Sequence, residues 1–310
     1  MQSGRAMSRG IRSRLALSVC AAVSTVLVGL PGLPAHAAFP GANGLIIFQH
    51  EAPAGDHTQT DLFVVRPDGT GVQRLTHTPA RNEFGPNWNA AGTKIAMWRT
   101  PAPFGPGSVW VMDADGSNQR RLTSGIDARD PAWNPAGTRL VFSAPVGQHS
   151  DLFTLRVSDG GGRRQLTTQG QDIEPAWSAD GRFVAFTRGD HVAVLNLRTG
   201  HVRTLTHSTA YDHQVGWAPG SRRLVFERDF NRRFAICVVK IDGTGFKELT
   251  AGPHFDVGPA FSPDGKLIAF GSDRGSAIFH DIWVMRADGS NKHRLFDFSY
   301  ANGFPDWQPT

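Results

Sequence analysis

Six large aromatics recur along the chain at nearly constant spacing. Trp88, Trp133, Trp177, Trp217, Phe261 and Trp307 are separated by 45, 44, 40, 44 and 46 residues. Short apolar runs of strand-like composition lie inside each interval. A period of this size with such runs marks a β-propeller, where each repeat forms one small sheet.

The copy at residues 259–296 shows the parts of one repeat. Pro259-Ala-Phe-Ser-Pro-Asp-Gly265 gives a short strand and a turn, because Pro-Asp-Gly supplies the backbone angles that a tight turn needs. Lys266-Leu-Ile-Ala-Phe270 follows as a nearly all-apolar strand, a pattern expected of burial on both faces. Asp281-Ile-Trp-Val-Met285 is the third strand, Asp288-Gly289 a second turn, and His293-Arg-Leu-Phe296 the outer strand. Weaker third strands start near Asp61, Ser108, Asp151, His191 and Ala235. Four antiparallel strands joined by hairpins make one blade.

Second strands end at Phe48, Met97, Phe142, Phe186, Phe226 and Phe270, and fourth strands at Thr76, Thr123, Thr167, Thr206, Thr250 and Phe296, six of each. First strands also number six, but they run from Trp88 to Trp307, so the series opens on a second strand and closes on a first. Those two ends complete one blade. Residues 304–308 are therefore expected to pair beside residues 45–49. The expected fold is an all-β, six-bladed propeller of four-stranded antiparallel blades over residues 38–310, closed by pairing of the C-terminal strand with the N-terminal one. Such closure hides edges that invite aggregation. The recurrent aromatics are expected to fill the space between sheets. Trp98, which follows a second-strand run, is expected to turn toward a loop.

Residues 1–37 have a different character. Arg5, Arg9, Arg12 and Arg14 precede an apolar stretch at 15–30, then Pro31-Gly32 and Ala35-His36-Ala37. This order describes a secretory signal peptide, and 16 apolar residues fall short of the ~20 that span a membrane. Removing the segment lowers the net charge from +5 to +1. Arginine pairs such as Arg120-Arg121, Arg163-Arg164 and Arg222-Arg223 fall in different repeats, so no concentrated basic face favours nucleic acid. Cys20 leaves with the leader and Cys237 stands alone, at a position aligned with Phe63, Trp110 and Trp283 between sheets. Burial as a small hydrophobe is the expectation for it. The reading is an exported, monomeric protein, extracellular, in the cell wall or periplasmic, with no membrane span after the leader.

The chain lacks Gly-x-Ser-x-Gly, His-Glu-x-x-His, Cys-x-x-Cys and the phosphate-binding Gly-x-x-x-x-Gly-Lys-Ser/Thr. The usual hydrolase, zinc and nucleotide readings are thereby removed. Asp113-Ala-Asp-Gly116 lacks the later ligands of a calcium loop and reads as a turn.

The phrases at residues 259–270 and 281–289 resemble the TolB-type repeat, also called PD40 or WD40-like. No Trp-Asp dipeptide of true WD40 repeats occurs. The resemblance covers roughly residues 42–310 and implies a six-bladed propeller that binds protein partners. TolB carries a separate α/β domain ahead of its propeller. Only residues 38–43 lie between leader and first strand here, so a free-standing propeller is expected.

Variable loops on a rigid scaffold are where recognition usually sits. The turns between strands 1 and 2 and between 3 and 4 are short and repetitive. The 2–3 loops, at 50–60, 99–107, 144–150, 188–190, 227–233 and 272–280, vary in length and content. They share a face with the crossings into each first strand. Counting five back from each aromatic gives Glu83, Ala128, Asp172, Asp212, Asp256 and Asn302, with Asp130, Glu174 and His213 nearby. Glu83, Asp130, Asp172, Glu174, Asp212, His213, Asp256 and Asn302 form the expected ligand-binding channel mouth. Asp172, Asp212 and Asp256 could hold Ca²⁺, grip a partner's Arg or Lys, or cap backbone amides. The expected ligand is a protein or a cell-envelope polysaccharide. An enzymatic alternative comes from seven-bladed polysaccharide lyases with similar repeats, which use His and a divalent metal. His213, His254 and His280 would serve here.

Overall fold

The computed structural model describes residues 38–310, apart from 55–56, 102–104, 169, 232, 276–279 and 298–299. The leader reading of residues 1–37 falls outside them.

The described residues form 24 strands in six four-stranded sheets. The first sheet joins β1 (Asn43–Ala54), β2 (His57–Val65) and β3 (Gln73–Arg74) to the last strand of the chain. The second holds β4 (Arg81–Trp88), β5 (Lys94–Pro101), β6 (Ser108–Asp113) and β7 (Arg120–Arg121). In the third are β8 (Arg129–Trp133), β9 (Arg139–Val146), β10 (His149–Arg156) and β11 (Arg164–Gln165). The fourth contains β12 (Asp172–Trp177), β13 (Phe183–Arg188), β14 (His191–Asn196) and β15 (Val202–Thr204). β16 (Tyr211–Trp217), β17 (Arg223–Asp229), β18 (Phe234–Lys240) and β19 (Lys247–Glu248) make the fifth. The sixth comprises β20 (Asp256–Phe261), β21 (Leu267–Ser272), β22 (Asp281–Arg286) and β23 (His293–Arg294), and β24 (Ala301–Pro309) returns to the first.

The closure has the expected register, with Ile46 opposite Trp307 and Ile47 opposite Asp306. Each neighbouring pair of sheets shares an apolar cluster. One of them joins Ala260, Ala269 and Ile282 of the sixth sheet to Ile46, Phe48 and Trp307 of the first. The ring is therefore sealed by packing as well as by hydrogen bonds. Trp88, Trp133 and Trp217 have no exposed surface. The indole of Trp133 also donates to the Asn87 carbonyl, and that of Trp217 to the Ala176 carbonyl, both at 3.0 Å. Cys237 is buried in the fourth–fifth sheet cluster.

The Leu-Thr pair that closes five of the six repeats, at 75–76, 122–123, 166–167, 205–206 and 249–250, has a direct physical cause. The outer strands are only two or three residues long. Just beyond each, a threonine hydroxyl accepts a third-strand amide: Leu62 to Thr76, Val109 to Thr123, Leu152 to Thr167, Val192 to Thr206 and Ile236 to Thr250, at 2.9–3.0 Å. Side-chain oxygen thus extends the ladder where the backbone has already turned away. In the sixth copy Phe296 replaces threonine and packs on Phe48, ring centroids 5.1 Å apart.

Candidate site at the channel mouth

Each first strand carries a bulge three residues before its aromatic. Gly85, Asp130, Glu174, Gln214, Gly258 and Phe304 all occupy positive φ, between 53° and 58°. The ladder with the second strand skips register at each of these points. Bulges re-aim side chains and leave amides that need acceptors. At Gly258 a Cβ would lie 2.7 Å from the Phe304 ring, so only glycine fits there.

Upstream of the bulge lies the expected carboxylate ring. β-Pairing sets Asp172 opposite Arg188 and Asp212 opposite Arg228, and these pairs are bidentate at 2.6–2.9 Å. Glu83 faces Arg99, with an ion pair of 2.9 Å. Asp256 accepts from Ser272 at 2.7 Å and from both terminal nitrogens of Arg274, one of them at 2.7 Å. Asn302 bonds His50 at 2.8 Å. The acids are almost fully buried. The ring thus grips arginine from within the chain, and Asp172, Asp212 and Asp256 each spend their oxygens on their own blade. Among the described residues, no group of three or more His, Cys, Asp or Glu side chains is placed to hold a metal ion.

Asp130, Glu174 and His213 do come together. Asp130 accepts from the Ser143 hydroxyl at 2.7 Å and from the Glu174 amide. Glu174 accepts the Gln214 amide at 2.7 Å, the Gln214 side chain at 2.9 Å and the Thr187 hydroxyl at 2.9 Å. One blade's acid thus satisfies the next blade's bulge amide. Glu227 does the same for Gly258 at 2.9 Å. His213 Nδ1 lies 4.0 Å from Glu174. Burial, reinforced by Glu174, pushes the Asp130 carboxyl well above its usual range. Burial likewise lifts Glu227 to about 7, against the opposing pull of His213.

A further bulge residue, Phe304, joins Phe84 and Trp98 in an apolar cluster. Trp98 stacks on Phe84 at 4.6 Å and is buried, instead of turning toward a loop. Of the other histidines, His254 Nδ1 lies 3.3 Å from Asp273, while the His280 carbonyl accepts the Asn302 amide. Glu227 was expected in a loop; β17 runs on to Asp229 and carries it as the register partner of His213. Alternation along β17 from Val225 would have revealed its inward placement.

The family profile described as TolB beta propeller domain matches residues 84–245. The chain belongs to this family. An uncharacterized protein of Agrobacterium fabrum is 31% identical over 112 residues, 36% of this chain and 38% of that one. The protein named Tol-Pal system protein TolB 1 of Novosphingobium aromaticivorans is 39% identical over 74 residues, 24% of this chain and 16% of its own length. The chain thus matches well under half the length of these relatives. The crystal structure of TolB from Acinetobacter baumannii superposes with a TM-score of 0.73 at 19% identity, over 93% of this chain and 70% of that one. At that identity the likeness is one of fold. Among the described residues of this TolB-type propeller, no helix is long and apolar enough to cross a membrane.

Proposed function

We propose that this TolB-type propeller is an exported, non-enzymatic binding module that presents its loop face and channel mouth to a protein partner. The difference between its two faces carries the reading. Hairpin turns on one face are satisfied internally: Asp68, Asp115, Asp242 and Asp288 each accept the amide two residues on, at 2.8–2.9 Å. On the other face, the crossings of three consecutive blades leave Tyr211, Phe255 and Tyr300 at 50%, 38% and 41% exposure. Each stands one or two residues before a buried polar side chain, Asp212, Asp256 or Asn302. Exposed aromatics beside fixed polar groups are typical of recognition surfaces. The Tol-Pal name of its relatives supports a protein over a cell-envelope glycan as ligand.

A photo-crosslinking residue at Tyr211 tests this against one at Phe246, which is 46% exposed on the hairpin face. The proposal expects a discrete protein adduct in cells from position 211 and none from 246. Adducts from 246 alone would reverse the assignment, and polysaccharide adducts from 211 would move the ligand to the glycan class.

A further inference from the structure

The ring gathers charges that the sequence keeps apart. The turns between strands 1 and 2 and those between strands 3 and 4 project from one face of the disc. The first set, at 89–94, 134–139, 178–183, 218–223 and 262–266, holds six Lys or Arg and two Asp. The second, at 66–73, 113–120, 156–164, 196–202, 240–247 and 286–293, holds ten Lys or Arg and six Asp. This hairpin face therefore carries an excess of eight positive charges. The loop face leans the other way. Its 2–3 loops hold six Lys or Arg and six Asp or Glu, and the crossings at 74–83, 121–130, 165–174, 204–214, 248–257 and 294–302 hold five against nine. The net charge of +1 for residues 38–310 thus conceals two faces of opposite sign.

Little of the positive charge is spent inside the molecule. Lys94, Arg156, Arg182 and Lys266 have ion pairs with turn aspartates. The other four aspartates, Asp68, Asp115, Asp242 and Asp288, hold turn amides. Among the described residues, the remaining twelve cations of the face have no ion pair, and Arg198, Arg222 and Arg286 are exposed. Phe246, 46% exposed between Lys240 and Lys247 in the chain, adds an apolar side chain to the same face.

The chain also enters the disc here. The Gly41 amide donates to the Pro263 carbonyl, and Asn43 Oδ1 accepts the Asp264 amide at 3.2 Å, both in the turn between the first two strands of the sixth sheet. Ala38 packs in the cluster of the fifth and sixth sheets, and Phe39 in that of the second and third. Those clusters lie on opposite sides of a ring of six, while consecutive Cα atoms are only about 3.8 Å apart. The two residues therefore cross the disc axis at its hairpin-face end. Whatever precedes Ala38, read from the sequence as a leader that enters a membrane during export, joins the disc at the face with the basic turns.

We propose that the hairpin face docks on an anionic lipid bilayer and leaves the loop face turned away from it. All six blades contribute cations through short, similar turns. The charge is spread over a broad face and follows no single track, which suits a planar sheet of headgroups better than one polymer strand. A bilayer rich in anionic lipid attracts basic side chains that come within a Debye length of its surface. The leader delivers this face to the bilayer, and the charge holds it there once the leader is cut. The docking uses none of the loop-face residues, so it stands apart from the binding-module reading.

Sedimentation with lipid vesicles tests this, using residues 38–310, which contain every sheet. Vesicles of phosphatidylcholine with about one-third phosphatidylglycerol should carry the protein down at low salt, and about 0.5 M NaCl should release it. Vesicles of phosphatidylcholine alone should leave it in solution. Arg198→Gln/Arg222→Gln should lower partitioning about tenfold or more, because each basic side chain at such a surface is worth about fivefold. Arg81→Gln/Arg233→Gln removes the same charge from the loop face and should lower it less than about threefold. Circular dichroism spectra matching wild type would show that both variants fold. Equal losses in the two variants, equal binding to neutral vesicles, or binding to neither kind would overturn the docking. Capture of soluble polyphosphate without capture of vesicles would overturn it in favour of a polymer.

Discussion

Asp306 Oδ2 accepts the Trp88 amide at 2.7 Å, which binds the last strand of the chain to the first strand of the second blade. The same oxygen takes Asn87 Nδ2 at 3.2 Å, and Asn87 Oδ1 in turn accepts the Trp133 amide at 3.3 Å. This polar thread runs through three blades beside the closure. The positions that match Asp306 and Asn87 in the other four blades are Ala132, Ala176, Gly216 and Ala260.

Burial pushes the Asp306 carboxyl up to about 8. An acid with a raised folded-state pKa favours the protonated fold. Its stability contribution is whole below the unfolded value near 4 and is lost as pH climbs through about 8. Melting temperature should therefore drop between about pH 5 and about pH 9, and Asp306→Asn should remove much of that drop. A variant that follows the wild-type pH profile would deny the carboxyl this role.

Replacing Thr206 by valine keeps shape but removes the acceptor of the Val192 amide. A buried donor left unpaired costs about 1–3 kcal/mol, which urea unfolding should show. A loss below about 0.5 kcal/mol would mean that water takes over the hydroxyl's place.

The arginine partners of the carboxylate ring predict a null response to calcium. With the oxygens of Asp172 and Asp212 held by Arg188 and Arg228, neither a chelator nor added Ca²⁺ should move the melting temperature. Asp172→Asn should cost about 1 kcal/mol, since Arg188 keeps some access to water. A calcium-dependent rise in melting temperature would show that an ion competes with these guanidinium groups.

The fold was legible because blade geometry repeats: Trp at one point, Leu-Thr at another, and Asp-Gly at the turns. The equivalence of the positions five residues before each aromatic was legible for the same reason. Their chemistry was not, because it depends on partners distant in sequence. The sixteen-residue offset from Asp172 to Arg188, or from Asp212 to Arg228, is fixed by hairpin register, and it recurs from Glu83 to Arg99. Ala128 and Ala144 stand at the same offset in the third blade, where both charges are missing together. Such co-absence was the available sign that the acids serve their own blades. The bulges left a fainter trace, because Asp130, Glu174, Gln214 and Phe304 share a backbone angle but no residue type.

Pairing of β24 with β1 closes the ring of sheets, and amide hydrogen exchange tests it most directly. Ile46, Ile47 and Gln49, with their β24 partners Trp307, Asp306 and Gly303, should exchange as slowly as Ala260 and Ala269 in the sixth sheet. Rapid exchange along β24 while β20 stays protected would show an open ring and contradict the account.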